Sequence, residues 1–187
     1  MMKYCFLMLA ACLFTNYAYS KSAVELQVTL DQCNFNLSDP YNGKISIDNE
    51  STPHSAIYTS TISQDSRHPF DTKIKFDCHP DVDASNLSDL SGASKKNGKW
   101  MIDADGDAGA VNTELYLLQG KGWDGAGITQ DQTFGDEDRR TRGFTFCLVH
   151  GTKALCGLDD TVMYLAHPNE TVLPQIIRLL NSIRFLN

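Results

Sequence analysis

The chain has 187 residues, 42% hydrophobic and 21% charged, with no low-complexity run, which excludes the disordered and fibrous classes. Sixteen Lys and Arg against 23 Asp and Glu give a net charge of −7 and a pI near 5.1, the wrong sign for a protein that binds nucleic acid through a basic face. At this size one core buries roughly two-thirds of the unfolded surface, so one folded unit is expected.

Residues 1–20 read MMKYCFLMLAACLFTNYAYS: a Lys at position 3, an apolar run from Tyr4 to Phe14, then the small residues Ala18 and Ser20. That is the layout of a signal peptide, and the run is too short to span a bilayer. Cleavage after Ser20 is expected to leave residues 21–187 as a single exported domain in the periplasm or outside the cell. A second route is open, because Leu9-Ala10-Ala11-Cys12 resembles a bacterial lipobox and cleavage there would leave a lipid-bearing Cys12. Removing residues 1–20 takes away one Lys and no acid, so the net charge becomes −8.

Downstream, Val24, Leu26, Val28 and Leu30 alternate with polar residues, the period of a half-buried strand. Lys44 to Asp48, between turn residues on both sides, reads as a second strand. Further strands are expected at 55–63, 72–78, 100–102, 113–119, 144–149 and 155–165. A short helix fits near Asn86 to Leu90 within a Ser-, Asp- and Gly-rich stretch. From Thr171, read as the N-cap, Leu173, Ile176, Ile177, Leu180 and Ile183 make one apolar helical stripe, with Pro174 in the first turn. The predicted class is α+β: an antiparallel sheet with a C-terminal amphipathic helix packed on one face.

Cys5 and Cys12 leave with the export segment, and the remaining four cysteines predict two disulfides. The stretch RGFTFCLVHGTKALCGL reads as two strands about Gly151-Thr152, with Gly first as a type II′ turn requires. Counting outward from that turn sets Cys147 opposite Cys156 on a non-hydrogen-bonded pair, close enough for a bridge. Cys33 and Cys78 pair by elimination.

The acids are unevenly placed. Between Met101 and Asp138 nine acids face one base, Lys121. Within this stretch Asp103, Asp105, Asp107 and Glu114 fall at positions 1, 3, 5 and 12 of a twelve-residue loop, the spacing with which an EF-hand surrounds calcium by oxygens. Calcium is therefore a candidate ligand, although no helix is expected before the loop. Gly120-Lys-Gly122-Trp-Asp-Gly125 fits a dinucleotide fingerprint, but residues 126–138 are acidic and lack helical periodicity. Residues 120–142 are instead expected to form a flexible surface loop. Trp123 and Asp124 near one end, with Asp136, Glu137, Asp138, Arg139 and Arg140 near the other, form the candidate partner-binding set, since Trp and Arg serve interfaces as anchors.

Hydrolase signatures are weak: no Gly-x-Ser-x-Gly, His-Glu-x-x-His or Ser-x-x-Lys with its partners appears, and three of the five His, namely His68, His79 and His167, directly precede Pro, which marks turns. Asp159 and Asp160, adjacent on a strand, are expected to point to opposite faces and so to be poor partners in acid-base chemistry.

The C-terminal 45 or so residues, a Cys-bearing hairpin, the strand Thr161-Val-Met-Tyr-Leu165 and a helix ending Leu179-Leu-Asn-Ser-Ile-Arg-Phe185, resemble the closing unit of Mog1/PsbP-like domains. That resemblance implies an α/β/α sandwich and a mostly non-catalytic binding role. In its profile, acidic, exported and disulfide-bonded, the chain is similar to bacterial periplasmic immunity proteins, which block a toxin by binding it. The expected function is thus an exported, non-catalytic protein-binding module, for instance an inhibitor or immunity protein, with a protein such as a secreted toxin or enzyme as partner. A calcium-binding secreted module and a periplasmic hydrolase with an unrecognised site are the alternatives.

Overall fold

A computed structural model describes residues 22–50, 52–103 and 111–186. In chain order the elements are β1 (Val24–Val28), β2 (Phe35–Asp39), β3 (Lys44–Asp48), β4 (Ser55–Ser60), β5 (Thr72–His79), α1 (Ala84–Ser91), β6 (Ala93–Lys96) and β7 (Lys99–Ile102). They continue with β8 (Val111–Gly120), β9 (Trp123–Asp131), β10 (Thr141–His150), β11 (Lys153–Tyr164), α2 (Leu173–Asn181) and β12 (Arg184–Phe185). Seven strands form one sheet in the order β3-β4-β5-β11-β10-β9-β8; β1, β2 and β12 form a second, and β6 and β7 a hairpin. All pairings are antiparallel, as the sequence predicts.

The central hairpin is set by its turn. Gly151 takes φ +64°, a region glycine enters without steric cost, at the first of two central positions. From there His150 pairs with Lys153, Val149 with Ala154, Leu148 with Leu155, and Cys147 with Cys156, in the expected register. The Cys147–Cys156 bridge joins Cα atoms 4.0 Å apart, and the Cys33–Cys78 bridge forms as well.

Alternation along β10 sorts the interior. Phe144, Phe146 and Leu148 enter the main cluster with Phe35, Leu37, Tyr58, Ile74 and Phe76, whereas Cys147 joins Leu87, Ala154 and Cys156 in a second cluster. The larger sheet therefore buries side chains on both faces. On the second face lies α1, which begins on a capping box: Asp83 Oδ1 accepts from the N–H of Asn86 (2.9 Å), and Asn86 Oδ1 accepts from the N–H of Asp83 (3.1 Å).

The C-terminal helix forms where its stripe predicts, and Leu173, Ile176, Leu179 and Leu180 are buried in the main cluster. Two details differ from the expectation. Val172 occupies the N-cap, while Thr171 Oγ1, one residue earlier, accepts from the N–H of Leu173 (3.3 Å). The helix also stops at Asn181, so Ile183 is buried from beyond it. Among the described residues no helix is long and apolar enough to cross a membrane, and the two disulfides fit an oxidising compartment.

The largest correction concerns residues 120–142. No single flexible loop runs there: β9 occupies Trp123–Asp131 between β8 and β10. Gly125 and Gly127, which read as loop residues, are where neighbours crowd in. A Cβ on Gly127 would lie 2.4 Å from Phe144 Cζ, and one on Gly125 would lie 2.3 Å from the Cys147 carbonyl oxygen. The short strands β2, β6 and β12 also lie outside the expected set, since none carries an apolar alternation long enough to show.

Candidate functional site

At one end of the larger sheet three connections converge: residues 61–71 between β4 and β5, 132–140 between β9 and β10, and 165–172 between β11 and α2. Between them lies a cleft of about 540 Å³ lined by His68, Pro69, Asp138, Arg139, Thr141, Tyr164 and His167. On the other side of the 132–140 loop a second cleft, of about 440 Å³, is lined by Gln130, Gln132, Phe134, Thr145, Leu158 and Asp160 among others. Thr141 lines both, so the loop stands as a ridge between two recesses.

That ridge is braced. Gln132 N–H donates to the Thr141 carbonyl (2.9 Å), and Leu165 N–H donates to the Arg140 carbonyl (2.9 Å). A single 3-10 turn, Glu137–Arg139, is started by Asp136, whose carboxylate accepts from the N–H of Asp138 (3.3 Å). Arg140 folds back to the Gly135 carbonyl through Nε (3.4 Å) and Nη2 (3.3 Å). At its base Arg142 grips Asp131 with two donors, Nε to Oδ1 at 2.5 Å and Nη2 to Oδ2 at 3.0 Å. Burial works to raise the Asp131 carboxyl, but the bonds from Arg142 and Asn112 outweigh it and hold the group below the usual carboxylate range.

With its backbone braced, the loop turns other side chains outward. Arg139 is 86% exposed and Phe134 is 72% exposed. Of the predicted partner-binding residues, Asp136, Glu137, Asp138, Arg139 and Arg140 are therefore brought together here. Trp123 and Asp124 are not. They begin β9, and eight strand steps to Asp131 carry the chain about 26 Å. Trp123 is also only 6% exposed, and its Nε1–H donates to the Ile183 carbonyl (2.9 Å), so it is a core residue and not a surface anchor. Asp124, half-exposed, is engaged within the protein's own structure. Its Oδ2 accepts from Lys95 Nζ (2.6 Å) and Trp100 Nε1 (2.7 Å), clipping the β6–β7 hairpin onto β9. Asp124→Asn is expected to lower stability by about 1 kcal/mol, read as a lower denaturant midpoint, because the ion pair is partly solvated.

Phe134 is the residue that sequence reasoning passes over. Its signal is present: a lone aromatic in the polar run Gln130-Asp-Gln-Thr-Phe-Gly-Asp-Glu-Asp138. His68 and His167 have no such signal, because they lie 99 positions apart. In the fold their rings stack at 3.5 Å and 4°, and Glu170 accepts from the backbone N–H of His68 (3.0 Å) and contacts its Nδ1 (3.2 Å). Burial pushes the Glu170 carboxyl up, but the His68 bonds prevail and hold it low. Parallel rings send their in-plane lone pairs side by side and not to one point. Accordingly, among the described residues no three His, Cys, Asp or Glu are arranged to hold a metal ion. A His–carboxylate pair facing a cleft has the chemistry of a general base. Thr141, the aliphatic hydroxyl lining that cleft, donates to the Asp160 carbonyl (3.1 Å).

The proposed calcium loop is described only at its ends. Asp105 and Asp107 lie outside the described residues. Asp103 accepts from Ser88 Oγ (2.6 Å), and Glu114, within β8, accepts from the Tyr116 hydroxyl (2.6 Å). Asp159 and Asp160 divide as predicted, the first buried and the second exposed.

Comparison of the chain with family models, with curated proteins and with solved structures finds no match.

Proposed function

We propose that this chain is an exported, non-catalytic protein-binding module, of the kind that inhibits or neutralises a toxin or enzyme by direct contact, working in the periplasm or outside the cell. One observation carries the reading: Phe134 and Arg139 are both strongly exposed on a cross-braced loop at one end of the sheet, one bordering each of the two clefts. An aromatic and an arginine are the side chains that interfaces use as anchors, and a loop held by its own hydrogen bonds loses little freedom on binding. In this reading α2 is the amphipathic element that closes one face of the larger sheet, leaving the loop end free for the partner.

Affinity capture tests it. The purified, tagged protein, incubated with extract of its native host and neighbouring strains, is expected to retain one stoichiometric partner. Phe134→Ala with Arg139→Ala is expected to lose that partner, by at least about a hundredfold in affinity if both act as anchors, while the melting curve stays unchanged. Capture that ignores the double variant would overturn the assignment of the loop. A second reading rests on the His68–Glu170 pair, which would serve a hydrolase as base and orienting acid. Turnover that is lost in His68→Gln while partner capture persists would favour it. A melting temperature that rises with calcium and falls with chelator would favour the calcium module instead.

A further inference from the structure

The two edges of the larger sheet differ. β3 is five residues long, with Lys44 and Asp48 at its ends, a short charged edge that resists further pairing. β8 is ten residues long, and its middle reads Leu115-Tyr116-Leu117-Leu118. Leu117 is 67% exposed on it.

Hydrogen bonding defines what this edge offers. Gly120 and Trp123 close the β8–β9 turn, and pairs alternate in hydrogen bonding from there. Leu115, Leu117 and Gln119 thus turn their N–H and C=O groups away from β9. Gln119 shows this directly, since its N–H donates outward to Asn181 Oδ1 (3.1 Å). At the other end the register shifts between Val111 and Glu114, which breaks the regular ladder. The regular, uncapped part of the edge is therefore Leu115 to Leu117, and it faces no strand among the described residues.

We propose that two copies of this chain pair through β8, antiparallel and about a two-fold axis at Tyr116, with Leu115 of each copy opposite Leu117 of the other. A two-residue window of outward groups is self-complementary in this register. The N–H and C=O of Leu115 meet those of Leu117 in the second copy, and the reverse, so all eight groups are used. The same register sets an exposed Leu117 beside a half-buried Leu115 on one face, twice, and leaves the two Glu114 side chains at opposite ends of the window. A neighbouring strand of arbitrary sequence would satisfy the backbone but not supply both leucine pairs, which is why a second copy is the occupant. This inference goes beyond the binding-module reading and does not depend on the 132–140 loop.

Sedimentation of the purified protein over a range of concentrations tests it. A reversible dimer is expected, with amide exchange at Leu115 and Leu117 slowing as concentration rises. Leu117→Lys, at an exposed position, is expected to weaken the dimer by roughly tenfold or more, with the melting temperature unchanged at concentrations low enough for both proteins to be monomeric. A chain that stays monomeric at near-millimolar concentration overturns the proposal. So does a dimer that Leu117→Lys leaves intact, because that dimer uses another surface.

Discussion

Replacing Asp159 by Asn is expected to remove most of the pH dependence of stability between about pH 4 and pH 7. Asp159 is 2% exposed, on the core face of β11 opposite Phe144. One carboxyl oxygen accepts from the N–H of Thr161 (3.0 Å), and the backbone of Lys73 donates to the group too. The other, Oδ2, has no hydrogen-bond partner among the described residues. Burial, opposed by those two bonds and aided by the nearby Asp160, pushes the carboxyl up to about 7 from an ordinary 3.8. The sign depends on which state holds the proton. Below about pH 4 both states are protonated and the group is silent. Between about 4 and 7 the unfolded chain has released its proton while the folded one keeps it, so stability falls as pH rises, and above 7 the loss is complete.

An Asn side chain keeps the accepting oxygen and cannot ionise. The stability of Asp159→Asn relative to the parent should therefore rise by an amount on the order of 4 kcal/mol between about pH 4 and pH 8. Urea unfolding at a series of pH values reads this directly. Parallel curves for the two proteins would show that Asp159 does not titrate in that window. Asp131 and Asp124, both held low, contribute in the opposite sense: their stabilisation is present above the unfolded carboxylate range and is lost as pH falls through their folded values. Acid unfolding should thus begin only below the ordinary carboxylate range.

Removing the Cys33–Cys78 bridge as a Cys33→Ala, Cys78→Ala pair is expected to cost more than removing Cys147–Cys156 in the same way. The first bridge spans 45 positions and the second 9. Restricting the unfolded chain by those loops is worth about 4 and about 2.7 kcal/mol respectively. Topology points the same way. Cys147 and Cys156 are already neighbours in a hairpin held by its own ladder, whereas Cys33 reaches β5 from the β1–β2 connection. Equilibrium unfolding of both double variants, with m-values compared to exclude a change in the unfolded state, gives the ranking. Equal losses would mean that local packing, and not loop closure, sets the value of each bridge.

Local chemistry is legible where it is self-sufficient. The Gly151-Thr152 turn sets a two-residue hairpin, and a hairpin register leaves Cys147 one possible neighbour, so that bridge can be counted out on the sequence. The β9 strand is hidden for the converse reason. Gly125 and Gly127 carry no side chain to show a period of two, and their purpose, admitting the Cys147 backbone and the Phe144 ring, is visible only when β10 is in place. Trp123 reads wrongly as an anchor on the same account: whether a large aromatic is inside or outside depends on what covers it, here the chain around Ile183, sixty positions away.

The candidate site divides likewise. The acidic and basic run from Asp136 to Arg140 stands out because charge and turn residues cluster locally. Phe134 stands out beside it only through its exposure, and His68 and His167 meet in the neighbouring cleft only because the 61–71 and 165–172 connections lie at the same end of the sheet.

By itself the sequence determined the antiparallel class, the Cys147–Cys156 bridge and the position of the C-terminal helix, since each depends on spacing over a few residues; the Cys33–Cys78 bridge followed by elimination, and the acidic balance from composition. The tertiary structure decided which side chains meet across strands, which aromatic is buried and which carboxyl loses its water. Those outcomes depend on contacts between residues far apart in the chain, and burial is a property of the neighbours as much as of the residue.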